Sequence, residues 1–161
     1  MKTLFLIRHA KSSWKQSGLP DHDRPLANRG KRQLKLMAPL IQAAGAFDGP
    51  VFCSTACRAR QTLAGLLGEL DRPVVALDHA LYTFDWNDLL DWLADRDEDR
   101  LTLIGHNPAL EDLAAYALQK TTKHMPTCAF MHIEVASTQW TQLPAQDSRL
   151  LAFVTPKTAQ A

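Results

Sequence analysis

The chain has 161 residues, 46% of them apolar and 22% charged, with a formal charge of +1. That length builds one domain with a real core and is too short for two ordinary ones. So even a charge balance excludes a general nucleic-acid or membrane-surface binder, which needs a clear basic excess. No apolar run approaches the roughly twenty residues of a membrane helix, and the opening run of four leads straight into charge, unlike a signal peptide. The three cysteines, Cys53, Cys57 and Cys128, are odd in number and form no Cys-x-x-Cys pair. They read as reduced, mostly buried thiols of a cytoplasmic protein.

The first predicted strand is Leu4-Phe5-Leu6-Ile7, cut off by Arg8-His9-Ala10. Four apolar residues rich in strand formers read as a buried strand that delivers two polar side chains at its C-terminal end. A polar loop over residues 11–29 follows, broken by Gly18, Pro20 and Pro25. It is long for a compact domain, and long loops at strand ends are often functional. Residues 30–44 have the period of an amphipathic helix, with Leu34, Met37 and Ile41 on one stripe. Pro39 is expected to kink or split that helix, and Gly45 to end it. The basic residues Lys11, Lys15, Arg24, Arg29, Lys31 and Arg32 gather in this part of the chain. A local positive field there suits an anionic substrate, although a solvated helix face with Lys31, Arg32 and Lys35 accounts for about half of the cluster.

Val51-Phe52-Cys53 is the second predicted strand, after which Ser54 or Thr55 is expected to cap a helix carrying Leu63, Leu66, Leu67 and Leu70. Pro73 breaks the chain before a short strand over residues 74–77. Asp85 is an N-cap for a helix over residues 86–94, with Leu89, Leu90 and Leu93 inward. Residues 101–104 form the fourth strand and run into Gly105-His106-Asn107-Pro108. Asn107 followed by Pro108 is a good helix start, and Glu111 and Asp112 complement its dipole. Residues 130–136 and 150–154 read as two more strands, with a turn-rich stretch at 137–149 between them. Residues 155–161 are expected to be a loose tail. Strands alternating with helices imply one α/β domain over residues 1–161: a three-layer α/β/α sandwich on a mostly parallel sheet, antiparallel at the edge near the C-terminus.

Three strand ends carry the chemistry. In open α/β sheets ligands bind beyond the carboxyl ends of the strands, so Arg8-His9, the helix start with Arg58, and Gly105-His106 are expected to converge. A structural reading of Arg8 as the partner of a core carboxylate competes for that residue alone, because a buried guanidinium needs an anion. His106 in the same place on a second strand, and Arg58 in the first turn of a helix, shift the reading to a phosphate-sized anion site. Phosphoryl transfer needs its equatorial oxygens neutralised and an in-line nucleophile, and a neutral imidazole is a competent one. The other ring nitrogen of His9 should then donate to a fixed acceptor, a main-chain carbonyl or a carboxylate.

These residues match a pattern. Arg8-His9-Ala10 resembles the Arg-His-Gly signature of the histidine phosphatase superfamily, which includes the cofactor-dependent phosphoglycerate mutases. Residues 54–62 resemble its Ser-Pro-x-x-Arg-Ala-x-Gln-Thr stretch, Gly105-His106 its late Gly-His, and Arg24-Pro25-Leu26 with Gly30 its intermediate motif. Lys11-Ser12-Ser13-Trp14 and the short chain are most similar to the SixA-type phosphohistidine phosphatases. The resemblance implies a phosphoglycerate mutase-like fold and hydrolysis of protein phosphohistidine through an intermediate on His9. In this scheme Arg8, Arg58 and His106 hold the phosphoryl group, Ser12 is a further donor, and neither cofactor nor metal is needed. Ala10 and Thr55 depart from the family's glycine and proline.

Two rival functions use the same residues: a small-molecule phosphomonoesterase and a catalytically silent phosphate-binding module. Partners are therefore a phosphorylated protein histidine or a small phosphorylated substrate, with no nucleic acid and no membrane. Family members that cleave stable esters carry an acidic glutamate after the third strand, where Thr83 stands here. Asp23, Asp78 and Asp85 remain as proton donors to be weighed. Asp21-His22-Asp23 suggests a metal only weakly and reads as a solvated loop. Thr127 reads as a turn residue or one at the pocket mouth, and His79, His124 and His132 as surface or structural histidines.

Overall fold

Leu4, Phe5, Leu6 and Ile7 are all fully buried in the computed structural model, which describes residues 1–71 and 73–160. They lie on β1 (Lys2–Arg8). Because successive strand side chains point to opposite faces, the run serves two cores at once. Leu4 and Leu6 join one cluster and Phe5 and Ile7 the other. Burial of each such side chain stabilises by roughly 1.5–3 kcal/mol, which makes the strand the central seam of the molecule.

Among the described residues the sheet has six strands. In spatial order they are β3 (Val75–Asp78), β2 (Val51–Ser54), β4 (Arg100–Gly105), β1, β5 (Phe130–Val135) and β6 (Arg149–Val154). The first four are mutually parallel, β5 runs antiparallel to β1, and β6 antiparallel to β5. One face is covered by α1 (Asn28–Ala43) and α2 (Cys57–Leu67), through Leu34, Met37, Ile41, Leu63 and Leu66. The other is covered by α3 (Trp86–Ala94) and α4 (Ala109–Leu118), through Leu89, Leu93, Leu110 and Leu113. This is the three-layer α/β/α architecture that the strand–helix alternation predicts.

The register positions the chemistry. Arg8 pairs with Gly105 across β1 and β4, and Cys53 pairs with Ile104 across β2 and β4. The residues that follow, His9, Ser54 and His106, therefore leave the sheet side by side at its carboxyl edge.

Several local expectations are corrected. The first helix passes through Pro39 without a break; Pro39 is exposed, so water can serve the carbonyl it leaves without a donor. Neither Ser54 nor Thr55 caps the second helix, which begins at Cys57 behind Ala56; the Ser54 hydroxyl accepts instead from the Ala56 N–H just outside it. That helix also ends before Leu70, which is exposed. Pro108 precedes the first residue of α4 rather than opening it, while Asn107 Oδ1 still accepts from the Glu111 N–H at 3.2 Å. The expected loose tail is a short helix, α5 (Pro156–Ala159), closed by a Thr155–Thr158 capping box and packed on α1. Ala161, part of that expectation, lies outside the described residues. Among those residues no helix is long and apolar enough to cross a membrane.

Candidate active site

At the carboxyl edge of the sheet lies a cleft of about 300 Å³, lined by Arg8, His9, Ser12, Asp21, Arg24 and Arg58. Trp14, Phe84 and Thr127 stand among its other walls. Arg8, His9, Arg58 and Ser12 are thus brought together as the sequence predicts. His106 lies against His9, with ring centroids 5.2 Å apart. The three cysteines are free, with Cys53 and Cys128 buried.

His9 is 7% exposed and its ring is fixed at both nitrogens. Nδ1 donates to the main-chain carbonyl of Ala10 at 2.7 Å, the kind of acceptor the sequence called for. A carbonyl cannot donate, so this bond sets the tautomer and leaves a lone pair on Nε2. Nε2 accepts from Nε of Arg58 at 3.3 Å. Burial, and then the charges of Arg58, Arg8 and Arg24, push His9 down to about 3, against the raising effect of its carbonyl bond. The imidazole is neutral at pH 7, with its unprotonated nitrogen held against Arg58.

The backbone that carries His9 is locked by α2. Thr62, fully buried, accepts from the Ala10 N–H at 2.9 Å and donates to the Arg58 carbonyl at 2.7 Å. One hydroxyl thereby ties the end of β1 to the turn of helix that bears Arg58. Position 10 is fully buried at an ordinary backbone angle, so Ala10 fills the family's glycine position without strain.

Arg8 Nη1 donates to the Met125 carbonyl at 3.0 Å, while its Nε is buried without a partner. His106 Nε2 meets Ser54 Oγ at 2.8 Å, and its Nδ1 is likewise buried and unpaired. Burial, with His9 and Arg58 nearby, pushes His106 down to about 3. Buried polar atoms are rarely left unpaired. Arg8 lines the cleft, whereas His106 reaches it through its contact with His9.

The loop after β1 folds over the cleft. Its course is pinned from both sides: Gln61 accepts from Leu26 N–H at 2.7 Å, and Gln33 accepts from Lys11 N–H at 2.9 Å and donates to Thr127 at 3.1 Å. Arg24, 6% exposed, donates to Ser12 Oγ at 2.5 Å. That bond uses an oxygen lone pair of Ser12 and leaves its O–H available to the cleft. The exposed indole of Trp14 covers the Arg24 guanidinium.

The carboxylate in the cleft is Asp21, not Asp23, and the sequence missed it. It belongs to a single 3-10 turn, Asp21–Asp23, which was expected to be solvated. Asp21 receives Arg58, Arg24 and the hydroxyl of Tyr82. Partial burial works to raise its carboxyl, but the bonds from Tyr82 and Arg58, the Arg58 charge and the bond from Arg24 hold it down at about 2. The (i, i+3) spacing of Asp21 and Arg24 was the available signal. Asp23 lies beside His22 instead. Asp78 accepts from Ala80 N–H and from the Trp92 indole. Asp85 caps α3, and Thr83 donates to Asp88. Thr55, at the family's proline position, bridges two histidines, His22 at 2.8 Å and His79 at 3.0 Å. His124 meets Glu111, and His132 stacks on Phe5. Among the described residues no three histidine, cysteine or carboxylate side chains converge as a metal site.

Residues 4–91 match the histidine phosphatase superfamily (branch 1). An uncharacterized protein of Mycobacterium tuberculosis is 31% identical over 164 residues, spanning 94% of this chain and all of the relative. A structure named as a candidate phosphohistidine phosphatase SixA, from Nakamurella multipartitia, superposes with a TM-score of 0.79 at 25% identity over 96% of each chain. One from Agrobacterium tumefaciens, named in the same way, gives 0.74 at 26% identity over 96% of this chain and 98% of that one. A phosphoserine phosphatase of Entamoeba histolytica shares the fold alone, with a TM-score of 0.67 at 16% identity over 96% and 98% of the two chains.

Proposed function

The chain belongs to the histidine phosphatase superfamily and is a phosphatase, and from that premise we propose that its substrate is phosphohistidine on a protein. In this reading Nε2 of His9 attacks phosphorus in line, a new P–N bond forms, and the P–N bond to the substrate imidazole breaks. The departing imidazole takes a proton from water. Water then attacks the phosphorylated His9, inorganic phosphate leaves, and the lone pair returns to Nε2. Arg58 and Arg8 neutralise the phosphoryl oxygens, His106 and Ser12 complete the cradle, and the Ala10 carbonyl keeps the attacking tautomer throughout.

One observation carries the choice of substrate. The cleft's carboxylate, Asp21, is held ionised by Arg58, Arg24 and Tyr82, and Thr83 is turned to Asp88. An alkoxide leaving group needs a positioned acid; an imidazole leaving from a labile P–N bond does not. The second reading, a small-molecule phosphomonoesterase, would use the same residues. Relative rates decide between them. We expect kcat/KM to be highest for a phosphohistidine protein, lower for aryl phosphates and lowest for alkyl phosphates, with all turnover lost in His9→Ala. Alkyl phosphates as best substrates, with a pH profile requiring one protonated carboxyl, would overturn the proposal. Retained turnover in His9→Ala would remove the nucleophile.

A further inference from the structure

Residue 21 grips Arg58 twice. Its main-chain carbonyl accepts from Nη1 at 2.7 Å and its Oδ2 accepts from Nη2 at 2.9 Å. Arg24 Nη1 donates to Oδ1 at 3.0 Å, and the Tyr82 hydroxyl donates to Oδ2 at 2.5 Å. A carboxylate held by two guanidinium groups beside His9 has the charge sign and donor demand of a bound oxyanion. The two partners differ in freedom. The Arg58 side chain is 3% exposed and rooted in α2, whereas that of Asp21 is 43% exposed on a turn of three residues. When an external anion arrives, Asp21 is the group that can leave.

We propose that Asp21 is an internal competing anion: its carboxylate occupies the Arg58–Arg24 clamp, and a tetrahedral oxyanion binds by displacing it. Asp21 then sets how tightly the cleft holds substrate and product, and its return to Arg58 helps expel phosphate after hydrolysis. The proposal rests on the reading of Arg58 as the phosphoryl clamp. It differs in sign from a purely structural ion pair. A residue that only props Arg58 would weaken anion binding when removed, whereas a competitor strengthens it.

The test is the affinity for inorganic phosphate at pH 7, measured by calorimetry on the full chain, with folding checked by thermal melting. An internal ligand that occupies the clamp about nine-tenths of the time lowers apparent affinity about tenfold. Asp21→Ala is therefore expected to bind phosphate about tenfold more tightly than the wild type. Asp21→Asn, which keeps the shape and removes the charge, should tighten binding in the same direction. Tyr82→Phe removes one bond holding the carboxylate and should tighten binding about two- to fivefold. Arg58→Ala should weaken it. Weaker or unchanged binding in both Asp21 variants, with Arg58→Ala weakened, overturns the proposal and leaves the clamp intact. Unchanged binding in Arg58→Ala removes the clamp itself, and the proposal with it.

Discussion

Nε of Arg58 donates to Nε2 of His9 across 3.3 Å. The charge that would neutralise a transferring phosphoryl group is thus already in contact with the atom that would attack it, and little of it is spent on water. Arg58→Ala is expected to lower kcat/KM by about 10²–10³, the cost of losing one preorganised charge donor. Arg58→Lys should recover little of this, because an ammonium cannot reproduce the planar fork of a guanidinium. Steady-state kinetics with p-nitrophenyl phosphate checks both, and near-wild-type turnover in the alanine variant removes Arg58 from the site.

Protonation of the two histidines gives a stability signature. Both are held at about 3 in the folded protein against 6.5 in the unfolded chain. As pH falls through 6.5 the unfolded chain binds protons that the folded one refuses. Stability is therefore full above pH 6.5 and declines toward pH 3, by at most about 1.4 kcal/mol per pH unit for each histidine. Urea unfolding from pH 7.5 to pH 4 should show this decline, and His106→Asn should flatten it. A profile that is level from pH 7 to pH 5 contradicts the buried neutral state of both rings.

Thr62 is a polar rivet between the chain that follows β1 and the helix that carries Arg58. Thr62→Val keeps the shape and strands the Ala10 N–H without an acceptor, at a cost of about 1–3 kcal/mol. We expect a lower melting temperature together with a lower kcat, since Ala10 also fixes the His9 tautomer. A variant that is destabilised yet keeps the wild-type kcat would show that the rivet serves the fold alone.

Gly30 lies where α1 meets the first loop. A Cβ there would collide with the carbonyl oxygen of Lys11, which is backbone and cannot rotate away. Gly30→Ala should cost about 2–3 kcal/mol, in the range of overpacked cores. It should also weaken substrate binding, because the Lys11 segment leads into Ser12. Denaturant unfolding and KM report the two effects separately.

Much of the site was legible because it sits where strands end. Leu4 to Ile7 announce a buried strand by composition, Leu101 to Ile104 announce another, and the polar residues after each must emerge at the sheet's edge. The start of α3 was legible too, since Asp85 caps it with its own side chain. Neither Ser54 nor Thr55 caps α2, because the helix starts at Cys57; the Ser54 hydroxyl is shared between the Ala56 N–H and His106, and that of Thr55 bridges His22 and His79.

The α/β alternation, the two-sided burial of β1 and the placement of Arg8, His9, Arg58 and His106 at the ends of elements were all legible in the chain. Each of these follows from periodicity or from position at an element's end, which are local properties of the chain. Which carboxylate enters the cleft depends on how the loop after β1 is held. The loop that carries Asp21 and Asp23 has little core of its own, and its path is set by Gln61 and Gln33 on the two helices and by the Arg24–Ser12 bond inside it. A shift of two residues along that path exchanges Asp21 for Asp23, and the (i, i+3) spacing of Asp21 with Arg24 is the local pattern that separates them.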